Sequence, residues 1–351
     1  MSGDDPVKVG LLFDFDQGDG GRYYADGFRL GLDEVGAEAR LGRPIELLIR
    51  QADGLPGGSA QSVVAEFQAL VAEGSVVVAG PSISDNGIVV REVADAMEAP
   101  CVNYTGGAIT RSKWMFHYQV GSLEEEPYLL VDHLRSTGLD RVAVLHDDTP
   151  VGHNYGLWFE RAVTERGGPQ ILRRDAVSPL AEDLEPAVRQ ALAPGPEALV
   201  YLGLGVAARA VALAVEACGW AGPVVANSAL MFGYSRRDWR AGWDGWAYVD
   251  TISDGNVARA ALRQRSKAHA AGPIGVAAFD MGRLMGLGLA LADQVTPADV
   301  REGLERVKRL PAAAGKQGTT MGFGQWDHAA LKGEALVLRA WRDGHNVEVD
   351  P

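Results

Sequence analysis

Two cysteines in 351 residues, Cys101 and Cys218, leave no material for a disulfide framework or a thiolate metal site. One falls in a predicted strand and the other near the end of a predicted helix, so both read as small buried hydrophobes. Basic residues are also short: 33 against 46 acidic ones, a formal charge of −13. That sign repels phosphate backbones and anionic lipid, and nucleic acid is not an expected partner. No run of about twenty apolar residues suggests a bilayer span, so membrane insertion is not expected either. The amino terminus, Met1 to Pro6, carries no basic segment, apolar core or small-residue cleavage site ahead of a strand at Val7. If Met1 is the natural start the chain is expected in the cytoplasm; if a signal has been removed, in the periplasm or at the cell surface.

What is present is ordinary globular material, 47% hydrophobic and 23% charged, in a chain long enough to suggest two domains. The most informative stretch is 76–107. Val76-Val77-Val78-Ala79-Gly80 is a short β-branched run, a helical segment follows to Met97, and Pro100-Cys101-Val102-Asn103-Tyr104 is a second short apolar run. Strand, helix and strand make one βαβ unit whose strands lie parallel in a buried sheet and end on the same side. Beyond the carboxyl ends of such strands, loops and helix amino termini offer N–H groups to small ligands. The loops here carry Ser82, Ser84, Tyr104 and Thr105, with Gly106 and Gly107 allowing close approach to the backbone, a set suited to a carboxylate or another small polar head group. The competing explanation is a helix N-cap by Ser82 or Ser84 and a plain turn at Gly106-Gly107.

The same alternation runs through most of the chain. Strand 7–13, a glycine- and aspartate-rich loop 14–22, helix 23–35, strand 45–50 and helix 59–73 precede the unit just described, giving a doubly wound parallel sheet covered on both faces. From Pro127 the plan begins again: helix to 138, strand 141–146, loop 147–155, helix to 166, strand 170–174, helix 184–192, strand 198–202, helix 207–219 and strand 223–227. A tract over 228–249 contains Trp239, Trp243 and Trp246. Helices over 256–271, 275–292 and 297–307 and a strand over 335–341 complete the chain.

Two successive α/β lobes followed by helices and a terminal hairpin resemble the type I periplasmic solute-binding proteins, and most nearly their leucine/isoleucine/valine-binding branch. The residues that carry the resemblance include Val7-Lys8-Val9-Gly10-Leu11-Leu12, Ala25-Asp26-Gly27, Val78-Ala79-Gly80-Pro81-Ser82, Val142 to Asp148, Val200-Tyr201-Leu202-Gly203, Phe279-Asp280 and Trp326-Asp327. It implies an α/β fold of two doubly wound parallel-sheet lobes joined by a three-crossing hinge, near Ser122, Thr251 and Gln325. Lobe one then holds 1–121 and 252–325, and lobe two 122–251 and 326–351. It also implies non-catalytic capture of a small-molecule ligand in a cleft by hinge closure. Such a protein delivers solute to an ABC permease or senses it for a regulatory protein partner, without catalytic residues, cofactor or metal. Motif against motif, Ser84 stands where the family binds an amino-acid carboxylate, Thr105 and Gly107 stand in the next loop, and Phe279 stands at an aromatic position. Gln17 and Tyr23 join the candidate ligand-binding residues from the amino-terminal loop and helix.

The departures from the family pattern concern the ligand. Where the amino-acid binders place an acidic residue for the α-ammonium, this chain has Asn227-Ser228-Ala229. A buried ammonium without a carboxylate costs several kcal/mol, so an α-amino acid is disfavoured unless Asp16, Asp147 or Asp280 substitutes. A family tyrosine is Val151 here, and an aromatic wall position is Gly205. These changes point to an aromatic or alicyclic carboxylate, an amide or a larger apolar metabolite. The alternative is a nucleotide-dependent enzyme, because Gly203-Leu204-Gly205-Val206-Ala207-Ala208 matches the G-x-G-x-x-A dinucleotide fingerprint between a strand and a helix. No acidic residue ends the next strand to hold a ribose. His146, His153 and Asp147-Asp148 cluster in one loop; His153 is kept as a ligand contact and the others as solvated loop residues. The tryptophan tract reads as packing of a long loop, with an aromatic box for ligand as its rival, and Arg236, Arg237 and Arg240 as a stacked, solvated face.

Overall fold

The computed structural model describes residues 5–15 and 20–349 of the chain. Two compact units emerge, Met1–Val120 with Gly255–Ala335, and Gly121–Asp254 with Leu336–Pro351. In the first, β1 (Val7–Phe13), β2 (Ile45–Gln51), β3 (Val77–Ala79), β4 (Cys101–Asn103) and β5 (Met115–His117) form a parallel sheet in the order β2-β1-β3-β4-β5. Strands β3 and β4 are buried throughout, which is why they read as unbroken apolar runs and not as alternating ones. The connecting helix Ala60–Ala72 falls within the expected 59–73, and Ser84–Met97 ends as expected but begins earlier, inside the stretch 81–86 that sequence placed ahead of it; Ser59 caps the former by accepting from the Ser62 N–H.

In the second unit β6 (Arg141–Asp147), β7 (Gln170–Val177), β8 (Ala198–Leu202), β9 (Val224–Ala226) and β10 (Ala247–Asp250) are again parallel to their neighbours. The chain then re-enters the first unit, where β11 (Leu310–Pro311), β12 (Thr320–Met321) and β13 (Leu331–Lys332) make a small antiparallel sheet. It finishes in the second unit with the antiparallel hairpin β14 (Val337–Arg342) and β15 (His345–Val349), giving the order β15-β14-β10-β9-β8-β6-β7. The third passage between units thus falls after Ala335 and not near Gln325, because β13 pairs with β12 and keeps that stretch in the first unit.

Other departures from the sequence expectations have local causes. The loop expected over 147–155 is shorter, since the helix Pro150–Arg166 begins at once behind a Thr149 N-cap that accepts from the Gly152 N–H. Proline at the first helical position suits that start. Strand β5 and the five-residue helix Ala37–Leu41 are too short to show a period. The tryptophan tract forms two short 3-10 helices, Ser228–Tyr234 and Arg237–Trp243. Trp243 and Trp246 are buried in the core beside Trp341 and Tyr248, the Trp243 indole donates to the Ala208 carbonyl at 3.2 Å, and Trp239 packs at the margin. Arg240 stacks over Trp341 at 4.5 Å. Packing accounts for the tract. Cys101 is buried and Cys218 half-buried, both free.

The helix Pro273–Leu291 is, against expectation, long and apolar enough to cross a membrane by length and composition, but 78% of that stretch is buried inside the fold. It is the core helix of the first unit. It lies against the helix Gly20–Glu34 through facing glycines: a Cβ on Gly31 would sit 2.2 Å from the Phe279 carbonyl, and one on Gly282 2.1 Å from that of Phe28. Tyr24 donates to the Met281 sulfur across the same contact. Gly31→Ala therefore forces the helices apart and is expected to lower stability by about 1–3 kcal/mol, read as an earlier urea unfolding midpoint.

Candidate functional site

Each sheet presents its polar loops at the carboxyl ends of its strands. In the first unit the organising group is Asp14, directly after β1 and fully buried. One carboxylate oxygen accepts from the Ser82 N–H at 2.8 Å and the Ser82 hydroxyl at 2.7 Å, the other from the Ile83 N–H at 3.0 Å and the Asn86 amide at 2.8 Å. Ile83 is the N-cap of the helix Ser84–Met97, so an aspartate from another strand supplies the negative charge that the helix amino terminus attracts. Burial pushes the Asp14 pKa up, and the bonds from Asn86 and Ser82 pull it back. Burial, with the Asp14 charge second, likewise raises the Tyr104 phenol.

Behind this edge lies a second network. Asn103, at the end of β4, accepts from the Thr105 hydroxyl at 2.9 Å and from the Thr105 N–H at 3.3 Å, and Thr110 joins them. The Thr105 carbonyl faces His117 Nε2 at 2.7 Å, while His117 Nδ1 accepts from Arg111 at 3.0 Å, so Nε2 carries the proton. Burial first, and the Arg111 charge second, hold the His117 pKa down at about 3, leaving the ring neutral. Ser84 accepts from the Gly106 N–H at 3.2 Å, which draws the two loops together.

Of the expected site residues, Ser82, Ser84, Tyr104, Thr105 and Gly106 gather on this edge. Gly107 precedes a 3-10 turn, and its carbonyl takes the Thr110 hydroxyl at 2.7 Å. A cavity of about 20 Å³, room for one water-sized group, opens here among Asp14, Ser82, Tyr104, Tyr24, Phe13 and Phe15. Tyr23 points elsewhere: its hydroxyl donates to the Ala268 carbonyl and its ring stacks on His269 at 4.4 Å. Phe279 is buried beneath the Arg283 guanidinium, 5.2 Å away. Gln17 and Asp16 lie outside the described residues.

His153, Gly205 and Asn227 belong to the second unit. The Asn227 amide is locked in a reciprocal pair with the Gly203 backbone, donating to its carbonyl at 2.9 Å and accepting from its N–H at 3.1 Å. The glycines of the fingerprint loop have packing roles: a Cβ on Gly203 would meet the Asp147 carboxylate at 2.5 Å, and one on Gly205, whose φ is +92°, the Ala229 carbonyl at 2.3 Å. Asp147 itself accepts from the Leu204 N–H at 2.7 Å and the Tyr201 hydroxyl at 2.9 Å. An internal carboxylate thus occupies the amide that a dinucleotide phosphate would use. Asp280 is spent similarly, on Tyr118, Ala313 and Arg283. His146 is buried and not solvated as expected, 4.9 Å from the His153 ring; His153 pairs with Asp148 at 2.8 Å. Among the described residues no group of three metal-ligating side chains converges.

Sequence reasoning missed Glu126. It opens the helix Glu126–Ser136, is fully buried, and accepts from the Ser228 N–H at 2.6 Å, the Ser122 N–H at 2.7 Å, the Tyr155 hydroxyl at 2.9 Å and the Ser228 hydroxyl at 3.1 Å. An acid does reach the strand end where Asn227-Ser228 stands, but from a different element, and its oxygens are met by protein donors.

This geometry, a donor-rich loop edge on a parallel sheet repeated in two units of one chain, is the architecture of type I periplasmic solute-binding proteins. The chain belongs to the periplasmic binding protein family, whose model matches residues 6–335. Solved structures share the fold: a type 1 periplasmic binding protein from Bordetella pertussis (TM-score 0.83, 16% identity, 98% of this chain and 100% of that one) and an ABC transporter substrate-binding protein from Desulfitobacterium hafniense in complex with leucine (0.79, 17%, 98% and 100%). A branched-chain amino acid transporter substrate-binding protein from Streptococcus pneumoniae, in complex with isoleucine, is similar too (0.81, 15%, 99% and 100%). No curated protein matches the chain.

Burial outweighs the four donors to Glu126 and pushes its pKa up to about 7 from an ordinary 4.5. Because the folded value lies above the unfolded one, folding favours the protonated form. That contribution is complete below about pH 4.5, declines as pH rises, and is gone above about pH 7, a loss of roughly 3 kcal/mol. Glu126→Gln should remove this fall, so the stability difference between variant and parent, followed by denaturant unfolding, is expected to change across that window and to be flat above it.

Proposed function

We propose that this protein binds a small organic solute without catalysis, as the substrate-binding protein of an ABC importer or as a ligand sensor, and that the solute is not a plain branched-chain amino acid. The observation that carries the ligand reading is the state of the acids. Strand β9 is followed by Asn227, whose amide is committed to Gly203, and Asp147, Asp280 and Glu126 are each already engaged by hydrogen bonds from the protein. An α-ammonium placed beside them would displace bonds already made and gain little for its desolvation. Phe13, Phe15 and Tyr24 stand beside Ser82 and Tyr104 at the first unit's edge, and this mixture of apolar and hydroxyl groups supports a ligand class of aromatic or alicyclic carboxylates, amides or larger apolar metabolites, of which the 20 Å³ cavity takes only a small polar group.

Membership in a periplasmic family supports action outside the cytoplasm, with an ABC permease as the protein partner in that setting and a regulatory protein in a sensor. Capture by hinge closure belongs to this proposal, and a smaller radius of gyration in small-angle scattering with ligand present is its check.

The direct test is a thermal-shift screen of the purified chain against amino acids, amides, aromatic and alicyclic acids, and dinucleotides, since a ligand of the folded state alone raises the melting temperature. A shift with non-amino-acid acids or amides is expected. Micromolar binding of leucine would overturn the ligand reading, and a response to NAD(H) or NADP(H) alone would revive the enzyme alternative. With such a hit in hand, Ser84→Ala is expected to weaken binding by roughly 1–3 kcal/mol in calorimetry, through loss of one hydrogen-bonding hydroxyl.

A further inference from the structure

The small antiparallel sheet β11-β12-β13 carries a feature that solute binding does not use. Trp326 is 92% exposed, while the next most exposed large hydrophobic side chain among the described residues, Val257, stands at 65%. It sits at the tip of a tight turn closed by paired hydrogen bonds between Gly324 and Asp327, at 2.8 and 3.2 Å. The turn forms one wall of an open pocket of about 440 Å³ whose other groups include Lys308, Arg309, Lys332 and Phe323.

The charges there run against those of the chain. Three cations and one anion, Asp327, line the pocket, in a protein of net charge −13. Asp327 is turned onto Lys332, and Lys308 points its ammonium at the Glu305 carbonyl, 2.6 Å away. Glu305, on the neighbouring helix, is itself paired with Arg301 and His328. Arg309 has no hydrogen-bond or ion-pair partner among the described residues. Its backbone is held at φ 51°, in the left-handed region that non-glycine side chains avoid and that functional sites over-represent. Tryptophan and arginine are the residue types that most often anchor protein interfaces, around a pocket that takes one or two side chains.

We propose that this face of the first unit docks an acidic protein segment, one carboxylate entering the pocket against Arg309 while apolar side chains cover the Trp326 indole. The exposed ring favours a protein over a small anion, because an anion would leave the indole in water.

The probe is a fluorescein-labelled hexapeptide of four glutamates, one phenylalanine and one leucine, titrated into the full chain by fluorescence anisotropy, beside a version with lysines for the glutamates. Saturable binding of the acidic peptide alone is expected, weakening as salt is raised. Trp326→Ala and Arg309→Ala should each reduce affinity about tenfold, with the melting temperature unchanged because both side chains are exposed. Absence of saturable binding, or full binding by the double variant, overturns the proposal. Competition by citrate that is unaffected in Trp326→Ala would assign the pocket to a small anion, and self-association lost in Trp326→Ala would assign the face to a second copy; either result overturns it as well.

Discussion

A carboxylate taken out of water must be met by donors, and in this protein that requirement decides where the loops at the sheet edges lie. Asp14 gathers two backbone N–H groups, a hydroxyl and an amide from the start of one helix; Asp147 ties the loop after β8; Glu126 joins residues more than a hundred positions apart. An unpaired buried carboxylate would be far more costly than the net worth of each bond, so these loops have few alternatives once the sheets form. The candidate edge is consequently built in advance, by the protein's own carboxyl groups.

Much of the fold was legible because it rests on periods. Strands β1, β6 and β8 read as continuous apolar runs since a parallel sheet covered on both faces has no wet side, and the long helices repeat at helical spacing. What escaped was short or long-range. Strand β5, with three residues, has no period to show. The last passage between units was misplaced because β13 is chosen by its pairing with β12, a partner that no local pattern names.

The candidate site was legible in its residue types and less so in their commitments. Ser82, Ser84, Tyr104 and Thr105 do gather at one edge, as a βαβ unit requires, but sequence left their hydroxyls between ligand binding and helix capping and did not name their partners. The Ser82 and Thr105 hydroxyls in fact donate to Asp14 and Asn103. Asp14 itself carried a signal, an acid directly after a buried strand and opposite a serine-rich helix start. Glu126 carried none, since only folding brings it beside Ser228.

The helix pair that seals the first unit has a bearing on how the chain is made. The helix Gly20–Glu34 is synthesised early, yet the helix Pro273–Leu291 that covers Phe28 and Gly31 follows only after nearly all of the second unit. The second unit in turn waits for β14 to pair with β10. Each unit is therefore completed only by a segment translated after most of the other, so two unfinished apolar surfaces coexist while residues up to Pro273 are made, and a stop before that helix leaves both exposed.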